Sequence, residues 1–370
     1  MTMYILKLPG DDRLRETGKN KKHKKREKRE KRTARVKKDG SAKRFVKTLI
    51  IAIVIIVLAI AGYLFVKLGN LSHVDIDEDN LASGKIDWYK NIVVLGVDTR
   101  DMSNYQGSRT DSIIIVSINQ KNGKIKLISV YRDSLLDIEE VGLDKVTHAF
   151  AYGGPERTMN TLNRNLDLDI TDFAALNFRT VQKMVDDVGG IDVKIEENEI
   201  DQMNTYLPET AKYLKTDYEP ITEAGKQHLN GVEAVTYSRI RHTEGGDYKR
   251  TERMRTVFTA VFKEVKSNPL SINKLMNDVL PEISTNMSRA ELMPLLLTLA
   301  RMDITDSIGW PYDKEGWTGA SGTWYAAPIT LQSNVVKLHQ EVFEQEDYEP
   351  SSEVENISYN ISVTTGYYGN

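Results

Sequence analysis

Two hydrophobic periods alternate along this chain. NIVVLGV (91–97), DSIIIVSIN (111–119) and IKLISVYRD (125–133) are dense β-branched runs and predict three buried strands. The turn residues NQKNGK (119–124), with Asn-Gly at 122–123, predict a hairpin between the second and third. The period then lengthens. Met159, Leu162 and Leu166 predict a helix over 156–166, opened by Gly153-Gly154-Pro155. Val181, Met184, Val185 and Val188 predict another, stopped by Gly189-Gly190, and IDVKI (191–195) is a short strand. Residues 196–230 are polar and irregular and read as an insertion or lid. Helices follow over 229–239, over 250–266 with Val257, Val261 and Val265 on one stripe, and over 268–283 with a break at Pro281. A further helix over 288–302 starts at a Ser288–Glu291 capping box. Residues 325–343 end in a helix. Residues 344–370, acidic and then rich in Ser, Tyr and Asn, read as a disordered tail. No internal repeat is present. Strands alternating with helices predict one α/β domain with helices on the faces of its sheet.

One segment has neither period. TLIIAIVIIVLAIAGYLFV (48–66) has 19 residues and no charge. As a helix it spans about 28 Å, close to a hydrocarbon core of about 30 Å. Charge divides around it. Residues 1–47 hold 19 Lys/Arg against 6 Asp/Glu, and the remainder holds 31 against 47. The net of −3 for the whole chain hides this asymmetry. A basic flank before a lone apolar span predicts a cytoplasmic N-terminus. The expected order is a disordered basic tail (1–47), a transmembrane helix (48–66), a linker or short lead-in strand (67–90), an extracellular domain (91–343) and the C-terminal tail (344–370). The basic run at 19–38 has no interleaved aromatics. Anionic lipid and topology control explain it better than a specific nucleic-acid partner. The chain has no cysteine, which excludes thiolate chemistry and Cys-ligated metals.

The candidate chemistry is a set of arginines and aspartates around the strand runs. Arginine presents a planar fork of donors that matches phosphate oxygens. Asp98 follows one strand and Asp111 begins the next. If the two strands are antiparallel neighbours, both carboxylates fall at one sheet edge and suit one hard cation such as Mg²⁺. Arg239 and Arg241 are two apart and share a side if extended. Arg250 and Arg253 are three apart at a helix start and share a face. His148, beside Lys145, and His242 lack partners at metal-ligand spacing and read as proton handlers, substrate contacts or plain structural histidines. No nucleophile elbow, Walker loop or HExxH is present.

Seven segments in order carry a resemblance: NIVVLGVDTR, GSRTDSIIIVSIN, LISVYRDS, KVTHAFAYGG, LNFRTVQKMVDDVGGIDV, LNGVEAVTYSRIRH and GDYKRTERMR. Over residues 88–266, and more weakly to 343, the chain resembles the LytR–CpsA–Psr family of cell-envelope proteins. The resemblance implies a mixed central sheet, a type II membrane protein of a Gram-positive-type envelope, and an apolar groove for a polyprenyl (pyro)phosphate. It implies phosphotransfer of a glycopolymer (wall teichoic acid, capsule or another secondary wall polysaccharide) from that carrier to peptidoglycan. It implies Mg²⁺, with Mn²⁺ as an alternative, on Asp98 and Asp111. Arg109, Arg132, Arg239, Arg241 and Arg250 are the implied head-group and catalytic arginines. Asp247 precedes the last of them, and Arg100, Lys145 and Arg253 complete the binding set. Two positions depart from the family pattern: Tyr131 replaces a proline and Met254 a glutamine. A non-catalytic polyprenyl-phosphate-binding module and a lipid pyrophosphatase are the alternatives.

Overall fold

In the computed structural model, residues 23–29, 51, 55, 62–82, 84, 86–102, 104 and 107–369 are described. Residues 23–29 are helical, against the expectation of a disordered tail there. The rest of the basic tail lies outside the described residues, as does most of the 48–66 segment. Residues 51, 55 and 62–66 are helical, with Ile51, Ile55, Tyr63, Phe65 and Val66 exposed. Among the described residues no helix is long and apolar enough to cross a membrane. Residues 67–370 form one compact unit.

The strands are β1 (Ser72–His73), β2 (Tyr89–Val97), β3 (Thr110–Asn119), β4 (Lys124–Val130), β5 (Leu135–Ile138), β6 (Gly142–Lys145), β7 (Asp172–Leu176), β8 (Ile191–Ile195), β9 (Gly225–Leu229), β10 (Ser284–Thr285), β11 (Asp303–Trp310), β12 (Lys314–Thr318) and β13 (Trp324–Pro328). The main helices are α1 (Val146–Leu166), α2 (Phe178–Val188), α3 (Glu197–Leu214), α4 (Gly231–Arg239), α5 (Gly246–Ser267), α6 (Arg289–Thr298), α7 (Leu331–Phe343) and α8 (Ser352–Thr365).

Seven strands form a mixed sheet in the order β1-β10-β7-β2-β3-β4-β11. β2, β3 and β4 are successive antiparallel neighbours, while β7 and β11 join in parallel. Strand alternation sorts the core into two layers. Val93, Leu95 and Val97 of β2 pack on one face with α1, α7 and α8. Ile92 and Val94 point the other way, toward Phe258 and Phe262 of α5. A third cluster joins β8, β9, α2, α3 and α4 to Val257 and Val261 of α5.

Several segments differ from the sequence reading. Residues 197–214 are not irregular. They form an 18-residue helix whose capping box pairs Glu196 with Glu199. The 344–370 tail is not disordered: α8 starts at a Ser351 cap and buries Val354, Ile357 and Ile361 against the main core. α1 starts at Val146, ten residues early, because Gly153 and Gly154 kink one helix rather than precede it. β7 and β11 are single runs without a turn signal, so only pairing reveals them. The 67–90 stretch supplies β1 and a lead into β2.

Candidate functional site

The site starts from an irregularity in the sheet. Gly96 pairs with Ser112 and Val97 with Thr110, so Asp111 is an extra residue on β3. Such a bulge re-aims a side chain, and here the chain carries Asp111 into a group of arginines. Gly96 is required: a Cβ there would come within 2.9 Å of the Ser112 Cβ. The ladder continues beyond the bulge, with the Asp98 amide donating to the Arg109 carbonyl at 2.9 Å. β2 and β3 thus run oppositely, as anticipated, and Asp98 follows β2 beside the bulge.

Arg132 lies in the turn after β4 and donates to Asp111 through a short Nη1–Oδ1 contact. The turn is fixed by its backbone. Tyr131, Arg132, Asp133 and Ser134 carbonyls accept from Ser134, Thr147, Ala326 and Val146 amides. Arg241 and Arg250 each place a guanidinium nitrogen 3.7 Å from the other Asp111 oxygen. Asp247 Oδ1 lies 3.7 Å from Arg241 and 3.3 Å from Arg250. Lys145 binds Asp133 at 2.7 Å, next to Arg132. Arg132, Lys145, Arg241 and Arg250 therefore face Asp111, Asp133 and Asp247, one positive charge in excess. Asp247 sits in the first turn of α5, where the helix dipole favours an acid.

Arg250 has only 2% of its side chain exposed. Burial pulls its pKa down, while Asp111 and Asp247 pull it back up. Its Nε and Nη2 are buried without a hydrogen-bond acceptor, as is Arg132 Nε. Arg250 Nε still faces Asp247 at 3.3 Å, which leaves Nη2 as the donor without a carboxylate, and a buried unpaired donor costs about 1–3 kcal/mol.

Three expectations change here. α5 starts at Gly246, so Arg250 lies in its second turn. Arg239 ends α4 rather than lying on an extended run. It turns away from Arg241, donating to Thr210 (2.7 Å) and Glu209 (2.9 Å) of α3. Arg253 does not join the cluster. Its Nε donates to the buried Glu199 at 2.7 Å, and its other nitrogens donate to the Ile240 carbonyl and Thr243. It fastens α3 and the 240–243 loop to α5.

Arg239 belongs to a second group. Its guanidinium stands over the Phe178 ring at 5.8 Å. Tyr213 of α3 feels Asp98, Arg100, Arg179 and Arg239, and Arg100 stands 5.6 Å over its ring. Arg179 lies in the first turn of α2, where a single arginine carries no signal in the sequence. Arg109 is exposed, its charge felt at Tyr152. His148 bonds Asp144 at 2.9 Å and His242 stacks on Tyr206.

An apolar groove of about 240 Å³ opens beside the cluster, between the sheet, α2 and α5. α5 contributes Met254, Val257, Phe258, Val261, Phe262 and Val265, the i, i+3, i+4 stripe of one helix face. α2 adds Phe178, Val181 and Met184, and Asp111 lies at its lining.

Among the described residues, no group of three or more His, Cys, Asp or Glu side chains gathers as a metal cage. Two carboxylates are nevertheless enough for Mg²⁺, which completes its shell with phosphate oxygens and water. Asp98 and Asp111 offer the hard oxygens such an ion takes, but both Asp111 oxygens here face arginines.

Known proteins resemble this chain in sequence and fold. The chain is 31% identical to the polyisoprenyl-teichoic acid–peptidoglycan teichoic acid transferase TagU of Enterococcus faecalis over 53% of its own length and 60% of that protein's. It is 30% identical to the protein of the same name from Bacillus cereus, over 68% and 79%. The solved structure of TagT bound to LI-WTA shares the fold at a TM-score of 0.53 and 21% identity, over 79% of this chain and 94% of that one. TagT is a Bacillus subtilis protein. The LytR_cpsA_psr family model matches residues 69–328, and the chain belongs to that family.

Proposed function

We propose that this protein is a phosphotransferase that moves a glycopolymer from a polyprenyl-pyrophosphate carrier to peptidoglycan. One observation carries the reading: an apolar groove lined by Asp111 adjoins Arg132, Arg241 and Arg250, and the buried Arg250 keeps a donor, Nη2, without an acceptor. A prenyl pyrophosphate is apolar along its length and doubly anionic at its head, and it matches both parts. The names of the relatives, teichoic acid transferases that act on peptidoglycan, supply the reaction class.

The acceptor is a sugar hydroxyl of peptidoglycan. Its oxygen attacks the phosphorus on the glycopolymer side of the pyrophosphate. A new P–O bond forms there, and the bond to polyprenyl phosphate breaks. The products are a glycopolymer phosphodiester on peptidoglycan and the lipid monophosphate. Arg132, Arg241 and Arg250 hold the charge that builds on the phosphoryl oxygens. Asp247, whose carboxylate is 40% exposed, takes the hydroxyl proton. Arg239 stands over Phe178, a residue of the groove lining. When bound at Asp98 and Asp111, Mg²⁺ supplies further charge stabilisation on phosphate.

Residues 48–66 are proposed as a single membrane span, with 1–47 cytoplasmic and the compact unit outside. The basic flank supports this, and the span would keep the groove near a lipid carrier. The test is reconstitution with a polyprenyl-pyrophosphate-linked glycan and peptidoglycan. Glycan on peptidoglycan is the expected product. Release of lipid phosphate with water as the only acceptor would make the protein a pyrophosphatase. Tight binding without turnover would make it a binding module.

A further inference from the structure

The arginine cluster borders a second cavity. This one, about 240 Å³, is lined by Tyr131, Arg132, Asp247, Tyr248, Trp324 and Ala326, among others. The groove and the cavity share no lining residue. They meet at one ion pair, because Asp111 lines the groove, Arg132 lines the cavity, and the two are in direct contact. A pyrophosphate seated on the cluster with its prenyl chain in the groove would have its reacting phosphorus beside this cavity.

The walls are aromatic and braced. Tyr131 and Tyr248 meet edge to face at 4.6 Å. Lys314 stands 4.8 Å and 4.7 Å from their ring centroids, holding both. Tyr131 fits because Gly309 lacks a Cβ, which would come 2.0 Å from the tyrosine hydroxyl. Trp324 lies over Gly316, where a Cβ would come 2.7 Å from its Nε1, and it stays 43% exposed. The cavity thus combines an open indole, two fixed phenols, an arginine and the 40% exposed Asp247 carboxylate. A sugar ring offers complementary chemistry, with C–H faces for aromatics and hydroxyls for charged groups.

We propose that this cavity is the acceptor subsite. A sugar ring of a peptidoglycan strand stacks on Trp324, and its hydroxyl points at Asp247. The proposal rests on the phosphotransferase reading for its chemistry but not for its binding test. The reaction is the one written above: the hydroxyl oxygen bonds to phosphorus, polyprenyl phosphate departs, and the proton passes to Asp247.

The experiment uses the full chain in lipid nanodiscs with soluble glycan strands of peptidoglycan. Binding without donor is read by isothermal titration calorimetry, and transfer is read with a polyprenyl-pyrophosphate-linked glycan. Trp324→Ala should weaken strand binding and raise the acceptor KM about tenfold, with the donor KM unchanged. Trp324→Phe should recover most of the loss. Trp88→Ala, on a remote turn, should match the parent. Thermal midpoints confirm folding, and Tyr248→Leu tests the opposite wall independently. A rise in donor KM alone would assign the cavity to the sugar of the donor and overturn the proposal. Unchanged acceptor KM in both Trp324→Ala and Tyr248→Leu would also overturn it. A parent that binds strands through Trp324 yet transfers nothing would sink the phosphotransferase reading and leave the subsite standing.

Discussion

Arg250 and Arg253 are one helical turn apart and serve different ends. Arg253 is locked to Glu199 with both side chains almost wholly buried. Removing one partner of such a pair leaves a bare buried charge and costs about 3–5 kcal/mol. Arg253→Ala should therefore lower the urea midpoint sharply, and Arg253→Met paired with Glu199→Met should restore much of it. Equal stability of Arg253→Ala and parent would contradict the fastening role. Arg250→Lys keeps the charge but loses the fork. Transfer should fall on the order of 10²–10³-fold, with the fold intact by circular dichroism. Asp98→Ala should lose whatever stimulation Mg²⁺ gives. If chelator and Asp98→Ala both leave full transfer, the metal assignment fails. The sequence shows the arginines and aspartates but does not sort them. Arg253 and Arg250 look alike at spacing three, and only the position of Glu199 on α3 separates them.

At the level of elements, the groove depends on α5 and α2 standing apart over the sheet. Val181→Trp should fill it and weaken polyprenyl-pyrophosphate binding at least about tenfold, since an indole takes the room of several methylenes. Inorganic pyrophosphate should bind as before, and equal loss of both would show that the head-group site had moved instead. α8 is the opposite kind of element, remote from the cluster. Val354, Ile357 and Ile361 are buried, each contributing about 1.5–3 kcal/mol. Deleting residues 350–370 should lower the melting temperature by several degrees, and an unchanged midpoint would contradict that packing. The β-branched strands, the hairpin and most helices were legible because each carries its own period and stop residues. α8 was not, because its three buried residues sit among Ser, Asn and Glu that read as solvent-loving. α3 was hidden likewise, by charges that serve as a capping box and a buried ion pair. The bulge at Asp111 left no mark, since nothing in SRTDSIII announces an extra residue.

For the whole molecule, charge asymmetry around 48–66 supports the proposed topology. Protease added to protoplasts should remove the compact unit and spare the basic tail. A protected unit would put the catalytic face on the wrong side of the membrane. The proposed site joins three parts that are distant in sequence: β2–β4, the α4–α5 junction and the β12–β13 hairpin. The first two appear as motifs, whereas the hairpin enters only through the fold.

The most direct measurement is glycan transfer from a polyprenyl-pyrophosphate donor to peptidoglycan, comparing the parent with Arg241→Ala. Arg241 is exposed, so its removal should spare the fold, and the groove should still hold the lipid. The expected result is transfer by the parent and a loss on the order of 10²–10³-fold in the variant. Equal rates, or a parent that moves no glycan, would contradict a phosphotransferase built on this arginine cluster.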